Sequence, residues 1–188
     1  MSELEEAVEK AKLLQEKVLN NRMLHYQPYE YQKKFHNELS SQRLLMAGNR
    51  VGKSFSGAME MAFHTTGLYP KWWKGRRFER PVRAWAGGVS NETTRDVCQK
   101  ELLGQPDDPE QKGKGTIPKD KIGETVRKAG VPNAVNSVTI KHISGGYSRI
   151  GFKAYEMGKE KWMGESVDVI WLDEEPPAGI YTQALTRT

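Results

Sequence analysis

The sequence has few of the features that mark secreted, membrane-spanning or metal-binding proteins. Its one cysteine, Cys98, excludes an intrachain disulfide and fits a reducing compartment. No apolar run approaches the ~18 residues of a membrane span, and the acidic N-terminus is unlike a signal peptide. The four histidines do not cluster at the spacing of metal ligands. We therefore expect about one domain in these 188 residues, with no membrane partner.

A glycine-rich segment carries the clearest chemical signal. It follows an apolar run at residues 44–46, precedes a predicted helix at 55–64, and reads Met46-Ala-Gly-Asn-Arg-Val-Gly-Lys-Ser54. Strand, glycine-rich turn, Gly-Lys-Ser and helix are the order of a phosphate-binding P-loop, where backbone N–H groups and the helix N-terminus face the anion. The predicted nucleotide-binding residues of this loop are Ala47, Gly48, Asn49, Arg50, Val51, Gly52, Lys53 and Ser54.

Within this loop, Lys53 is predicted to contact the β- and γ-phosphates of ATP, and the Ser54 hydroxyl to bind Mg²⁺. Ala47 stands where the pattern usually has its first glycine, a change that the backbone tolerates if φ stays negative there. The alternative is a plain strand–turn–helix connection without a ligand.

A second apolar run, Val169-Ile-Trp-Leu172, ends on Asp173, Glu174 and Glu175. The run is typical of a buried parallel strand, and an acid at its end lies where ligands bind in α/β folds. We predict that Asp173 binds Mg²⁺ and that Glu174 deprotonates the attacking water, with Glu175 in that role if the register is shifted by one. The alternative is a buried strand that ends in solvated acids.

The rest of the chain supplies elements around these two motifs. Residues 1–24 predict an N-terminal amphipathic helix, with a capping box between Ser2 and Glu5, and residues 25–188 predict the P-loop domain. A strand is expected at 82–88, and a hairpin at 138–152. Gln32 opens a predicted second helix, either as a reader of the adenine edge or as an exposed helix residue.

A basic segment, residues 71–83, combines six cations with Trp72, Trp73 and Phe78. Such a segment can track phosphates and stack on bases. The interpretation we favour is a connecting loop whose rings cover the sheet edge while its charges stay solvated. The net charge of +5 adds only a mild preference for a polyanionic partner.

Together these motifs resemble the ATPase domain of phage terminase large subunits, of the type found in short-tailed, headful-packaging phages. The matching stretches are Met46 to Gly57, Ala62 to Pro70, Trp85 to Glu92, Gly115 to Pro118, Val169 to Pro177, Ile180-Tyr181 and Leu185 to Thr188. The resemblance implies an α/β P-loop NTPase fold of the ASCE type, with a mostly parallel central sheet flanked by helices. It also implies ATP and Mg²⁺ as cofactors, and ATP hydrolysis that drives DNA packaging.

The implied partners are double-stranded DNA, the portal protein, the small terminase subunit and further copies in a ring on the prohead, in the cytoplasm of the bacterial host. Glu174, Lys53 and Arg50 are the expected catalytic residues, and Arg50, Arg149 and Arg187 are candidates for an arginine that acts on a neighbouring subunit. Family members continue into a coupling motif and a nuclease domain. We therefore expect an ATPase domain that is incomplete at its C-terminus, without nuclease activity. The alternatives are a nucleotide-binding fragment without efficient turnover, or another P-loop motor such as a helicase.

Overall fold

A five-stranded sheet forms the centre of the fold in the computed structural model, which describes residues 3–188. Its strands are β1 (Arg83–Gly88), β2 (Ile122–Arg127), β3 (Val135–Lys141), β4 (Tyr147–Ala154) and β5 (Val169–Leu172). The α-helices are α1 (Glu3–Leu19), α2 (Arg22–His25), α3 (Glu30–Asn37), α4 (Lys53–Thr66), α5 (Asn91–Thr93), α6 (Lys100–Leu103) and α7 (Ala178–Leu185). A π-helix, Thr94–Gln99, joins α5 to α6. Short 3₁₀ helices lie at Pro109–Gln111, Lys119–Lys121, Tyr155–Met157 and Lys159–Trp162.

The sheet is mixed, with the strand order β2-β3-β4-β1-β5. β1 runs parallel to β4 and β5, whereas β3 is antiparallel to β2 and to β4. The prediction of a mostly parallel sheet is therefore wrong. Short connections at residues 128–134 and 142–146 bring the chain straight back, and such connections join antiparallel strands. The predicted hairpin is confirmed as β3 and β4, and β2, which the sequence pattern did not reveal, pairs with its outer edge.

The three parallel strands determine where a site can form. Because β1, β4 and β5 run in the same direction, the residues that follow them meet at one edge of the sheet. α4 packs against this part of the sheet, and at Gly57 it comes so close that an added Cβ would lie 2.5 Å from the Trp171 indole nitrogen. The N-terminus of α4 and the C-terminal end of β5 are thus neighbours.

The strand predicted at Leu44–Met46 is absent. These residues have no regular secondary structure and belong to no ladder, and Leu44 and Met46 are 79% and 80% exposed. A strand needs a hydrogen-bonded neighbour. Within residues 3–188, β5 pairs only with β1, and segment 44–46 does not pair with the other edge of β5.

Within the segment predicted as an N-terminal helix, residues 1–24, the described structure has α1 and then the start of α2, and the apolar side chains of α1 do not join the core. Every α1 side chain from Leu4 to Leu19 is exposed, including those of Leu4 and Leu14. The predicted capping box includes Ser2, which lies outside the described residues. The domain boundary at residue 24 stays a prediction. No helix within the described residues is both long and apolar enough to cross a membrane.

A buried carboxylate ties α3 and α4 together. Glu60 on α4 accepts hydrogen bonds from His36 on α3 and from His64, at 3.2 Å, and forms an ion pair with Arg43 at 2.5 Å. Burial alone raises the pKa of Glu60, but the two histidine hydrogen bonds and the Arg43 charge outweigh it and lower the pKa to about 2. The network stabilises the fold next to the glycine-rich loop, because Arg43 precedes that loop.

Replacing Glu60 with glutamine should therefore destabilise the protein. A carboxyl pKa of about 2 in the folded state, against the ordinary glutamate value of 4.5, corresponds to about 3 kcal/mol of folding stability at pH 7. Because the folded-state pKa is lowered, this stability is present above pH 4.5 and is lost as the pH falls towards 2. Denaturant titrations of Glu60→Gln should show the loss at pH 7 and its disappearance in acid. The exposed Glu124→Gln is the control, and an equal loss in both variants would contradict the account.

Candidate nucleotide-binding site

The glycine-rich loop, residues 47–52, curls tightly in front of α4. Arg50 and Gly52 both adopt left-handed backbone conformations, with φ of 61° and 83°. Glycine tolerates this region at little cost, whereas an arginine there is a local strain of the kind found at functional sites. Lys53 begins α4, and its ammonium group donates to the carbonyl oxygens of Ala47 at 2.8 Å and Gly48 at 2.7 Å. The lysine therefore lies inside the curl of the loop.

Asp173 meets this loop from the other end of the chain. It follows β5, and its backbone N–H donates to the Gly87 carbonyl at the end of β1, at 2.8 Å. Its carboxylate lies close enough to the Ser54 hydroxyl and the Lys53 ammonium for both groups to favour its ionised form. Burial raises the pKa of Asp173, the Glu174 charge raises it further, and the nearby Ser54 hydroxyl only partly offsets this increase. Because its negative charge is disfavoured in this way, the half-buried Asp173 carboxylate would be stabilised by a bound cation.

Glu174 has an unusual backbone. Its φ is 62°, in the left-handed region that non-glycine residues rarely adopt, and its side chain is exposed. Arg50 and Glu174, both predicted catalytic residues, thus account for two of the three non-glycine residues with positive φ in the described chain, the third being Asn133. Glu175 follows with an exposed side chain and ordinary φ. The structure therefore distinguishes the two acids by backbone conformation.

Gln32 lies against the glycine-rich loop and is buried, so the alternative of an exposed helix residue is wrong. It is 3% exposed, its carbonyl oxygen accepts from the Tyr29 N–H at 2.9 Å, and its amide donates to the Gly52 carbonyl at 3.4 Å. Beside it, the Tyr31 hydroxyl donates to the Val51 carbonyl. These contacts fix the start of α3 to the glycine-rich loop.

A cavity of about 770 Å³ opens where α2, α3 and the glycine-rich loop meet. Its size is within the range of small-molecule sites. The lining residues are Arg22, His25, Tyr26, Gln27, Tyr29, Tyr31, Gln32, Arg50, Val51, Gly52 and Phe55. The cavity therefore adjoins the predicted phosphate site on the side of the chain that carries Gln32.

Comparisons with known proteins identify the family of the chain. Residues 44–188 match a family model described as the N-terminal part of the T4-like terminase large subunit. The chain is also 38% identical to the large subunit of terminase from Salmonella phage P22, over 98% of its own length. The chain belongs to the terminase large subunit family. It spans 41% of that relative's length, and no solved structure matches it.

The three arginine candidates of this family member lie in different places. Arg50 is in the glycine-rich loop. Arg149 pairs in register with Arg83 at the start of β1, and the Arg187 carbonyl accepts from the Val167 N–H just before β5. Arg149 and Arg187 are therefore at the opposite edge of the sheet from Asp173. Only Arg50 is part of the site in the described chain.

The basic segment agrees with the interpretation we favoured for its rings, although they pack on α4 rather than on the sheet edge. Trp73 and Phe78 are buried, and the Trp73 ring centroid lies 5.4 Å from that of Phe63. Arg80 forms a bidentate pair with Asp168, at 2.7 and 3.2 Å. Trp73 and Phe78 are thus part of the core and are not available for base stacking, whereas Trp72 packs against the core and is partly buried.

Proposed function

We propose that this chain is a P-loop ATPase module of the ASCE type, which binds and hydrolyses ATP to drive packaging of viral double-stranded DNA. The observation that carries the proposal is the proximity of Asp173 to Ser54 and Lys53, both of which favour its ionised form, because it brings together two motifs that are distant in the sequence. A phosphate-binding loop and a metal-binding acid are the two halves of a Mg·ATP site.

The triphosphate is proposed to lie in the curl of residues 47–52. The N–H groups of this loop and the N-terminus of α4 provide a partial positive charge. Lys53 would exchange the Ala47 and Gly48 carbonyls for phosphate oxygens, which bind an ammonium more strongly because they are charged. The residues present therefore fit a nucleotide phosphate.

Mg²⁺ is proposed to be held by Ser54 and Asp173. Hydroxyl and carboxylate oxygens are the ligands that this ion prefers, and burial already disfavours an isolated Asp173 charge. When bound, the ion neutralises charge that develops on the phosphate oxygens. Asp173 itself would remain ionised and would fix the position of the ion relative to Lys53.

Glu174 is proposed to be the general base. Its exposed carboxylate follows Asp173 directly and can take the proton from a water that attacks the γ-phosphorus. In this step the new P–O bond forms as the bond to ADP breaks, and the proton moves to Glu174. The adenine is proposed to occupy the cavity beside Gln32, with the Gln32 amide reading its edge in place of the Gly52 contact.

Membership of the family supports a proposal for the partners. We propose double-stranded DNA, the portal protein and the small terminase subunit as partners, with copies of the protein forming a ring on the prohead in the host cytoplasm. Arg50 is proposed to contact the phosphates in its own site, and Arg149 and Arg187, at the other edge of the sheet, are the residues we propose as candidates for an arginine that acts on a neighbouring active site.

Nucleotide binding without efficient turnover is the second candidate. The exposed, unpaired segment 44–46 favours it, because this segment leads into the glycine-rich loop and does not fix it to the sheet. Brisk ATP turnover at low protein concentration would exclude this candidate.

Replacing Lys53 with alanine tests the proposed function. Charged hydrogen bonds contribute about 1.5–3 kcal/mol, so ATP affinity should fall at least about tenfold. Equilibrium dialysis with labelled ATP measures the change, and circular dichroism checks that the fold persists. The control is Lys71→Ala, which removes an exposed lysine elsewhere on the chain. Equal ATP affinity of Lys53→Ala and the wild type would remove the P-loop assignment.

A further inference from the structure

Tyr155 lies directly beneath the predicted catalytic acids. It follows β4, and its hydroxyl is 2.9 Å from the Asp173 carbonyl oxygen and 3.3 Å from those of Glu174 and Gly87. One side chain thus spans the ends of three parallel strands, β4, β1 and β5. A hydroxyl has a single proton to donate, and the shortest distance assigns it to Asp173.

The ring of Tyr155 is fixed by its surroundings. The residue is 5% exposed, and its ring centroid lies 5.8 Å from that of the fully buried Trp162. Trp162 packs so closely over β1 that a Cβ at Gly87 would lie 2.4 Å from its ring. Burial also raises the pKa of Tyr155, so the hydroxyl remains a proton donor. The donor therefore has little freedom to leave the carbonyl groups.

Glu174, the residue that these contacts constrain, has a strained backbone conformation. Glu174 has a φ of 62°, and a non-glycine residue keeps such a conformation only when the surrounding structure over-determines it. The Tyr155 hydroxyl contacts the two backbone carbonyl groups that flank the Glu174 Cα, those of Asp173 and of Glu174 itself. The Asp173 N–H is held separately, by the Gly87 carbonyl.

We propose that Tyr155 is a positioning residue for Glu174: its hydroxyl holds the backbone of Asp173 and Glu174 in the left-handed turn that directs the Glu174 carboxylate towards the attacking water. This role rests on the proposed ATPase function. In this role Tyr155 acts through Glu174 and does not contact the nucleotide. Nucleotide binding should therefore not depend on the Tyr155 hydroxyl.

Tyr155→Phe tests the proposal, because it removes one oxygen and keeps the ring. In steady-state ATP hydrolysis we expect kcat to fall about 10- to 100-fold, the effect of a misplaced catalytic group, with KM for ATP unchanged. The matched control is Tyr69→Phe, which removes another hydroxyl that is hydrogen-bonded in the interior, to the Phe78 N–H at 2.8 Å. An equal fall of kcat in the two variants, or a rise of KM for ATP with kcat unchanged in Tyr155→Phe, would overturn the proposal.

A double variant separates positioning from general stability. If Tyr155 acts through Glu174, adding Tyr155→Phe to Glu174→Gln should cause no further loss of kcat. A multiplicative loss would contradict the proposal.

A measurement without turnover keeps this inference distinct from the proposed function. Crystal structures of wild type and Tyr155→Phe should show φ of Glu174 leaving the left-handed region only in the variant. An unchanged Glu174 backbone in Tyr155→Phe would overturn the positioning role even if the protein hydrolysed ATP. Absence of hydrolysis in the wild type, with Glu174 displaced in the variant, would overturn the ATPase proposal and leave the backbone role standing.

Discussion

Glu174→Gln should bind Mg·ATP as the wild type does and should lose nearly all hydrolysis. Glutamine has the shape of glutamate but cannot accept the proton of the attacking water, and general-base catalysis contributes about 10²–10⁴-fold. The binding residues, Lys53, Ser54 and Asp173, are unchanged in this variant. Steady-state phosphate release gives kcat, and calorimetry gives the affinity for Mg·ATP.

Glu175→Gln is the matched control for this experiment. Glu175 is the next residue, is also exposed, and has an ordinary φ. Its replacement should leave kcat within a few-fold of the wild type. If Glu175→Gln abolished hydrolysis and Glu174→Gln did not, the assignment of the base would be wrong by one residue.

Asp173→Asn should weaken Mg²⁺-dependent ATP binding and at the same time stabilise the fold. The metal loses a charged ligand, and we expect the advantage of Mg·ATP over free ATP to fall at least about tenfold. Burial raises the pKa of Asp173 above 3.8, which means that ionisation opposes folding. The neutral amide removes this cost, so the melting temperature should rise at pH 7. The gain should shrink as the pH falls through the folded-state pKa and vanish below 3.8.

Asp168, at the other end of β5, provides the control with the opposite sign. Burial raises its pKa, but hydrogen bonds from Arg80 and from the Arg83 N–H outweigh this and lower it. Asp168→Asn should therefore lower the melting temperature at pH 7 and leave ATP binding unchanged. Calorimetric melting and ATP titration of both variants decide the matter. Destabilisation by Asp173→Asn would contradict the burial argument, and unchanged Mg²⁺ dependence would remove Asp173 as a ligand.

The sequence indicated which segments meet at the candidate site, and the chemical roles of their residues stay predictions. Gly52, Lys53 and Ser54 could be identified from spacing because a tight turn into a helix has few solutions. Asp173 could be identified because an apolar strand ended there. Their meeting follows from the general rule that ligand sites lie at the carboxyl ends of parallel strands. The family assignment, which the comparisons confirm, rested on the same motifs.

What the sequence could not indicate depends on contacts between distant segments. Leu44–Met46 has the composition of a strand but lacks a bonded neighbour in the described chain, and composition cannot reveal that. β2 was missed because Ile122–Arg127 is half-exposed and polar, and it becomes a strand only by pairing with β3. Tyr155 carries no motif, and its proximity to Asp173 exists only in the folded chain.

A crystal structure of the chain with Mg²⁺ and a non-hydrolysable ATP analogue tests the central claim most directly. The account predicts the β- and γ-phosphates in the curl of residues 47–52, the Lys53 ammonium transferred from the Ala47 and Gly48 carbonyls to phosphate oxygens, and the metal bound by Ser54 and Asp173. A nucleotide bound elsewhere on the chain, or a metal that contacts neither Ser54 nor Asp173, would contradict it.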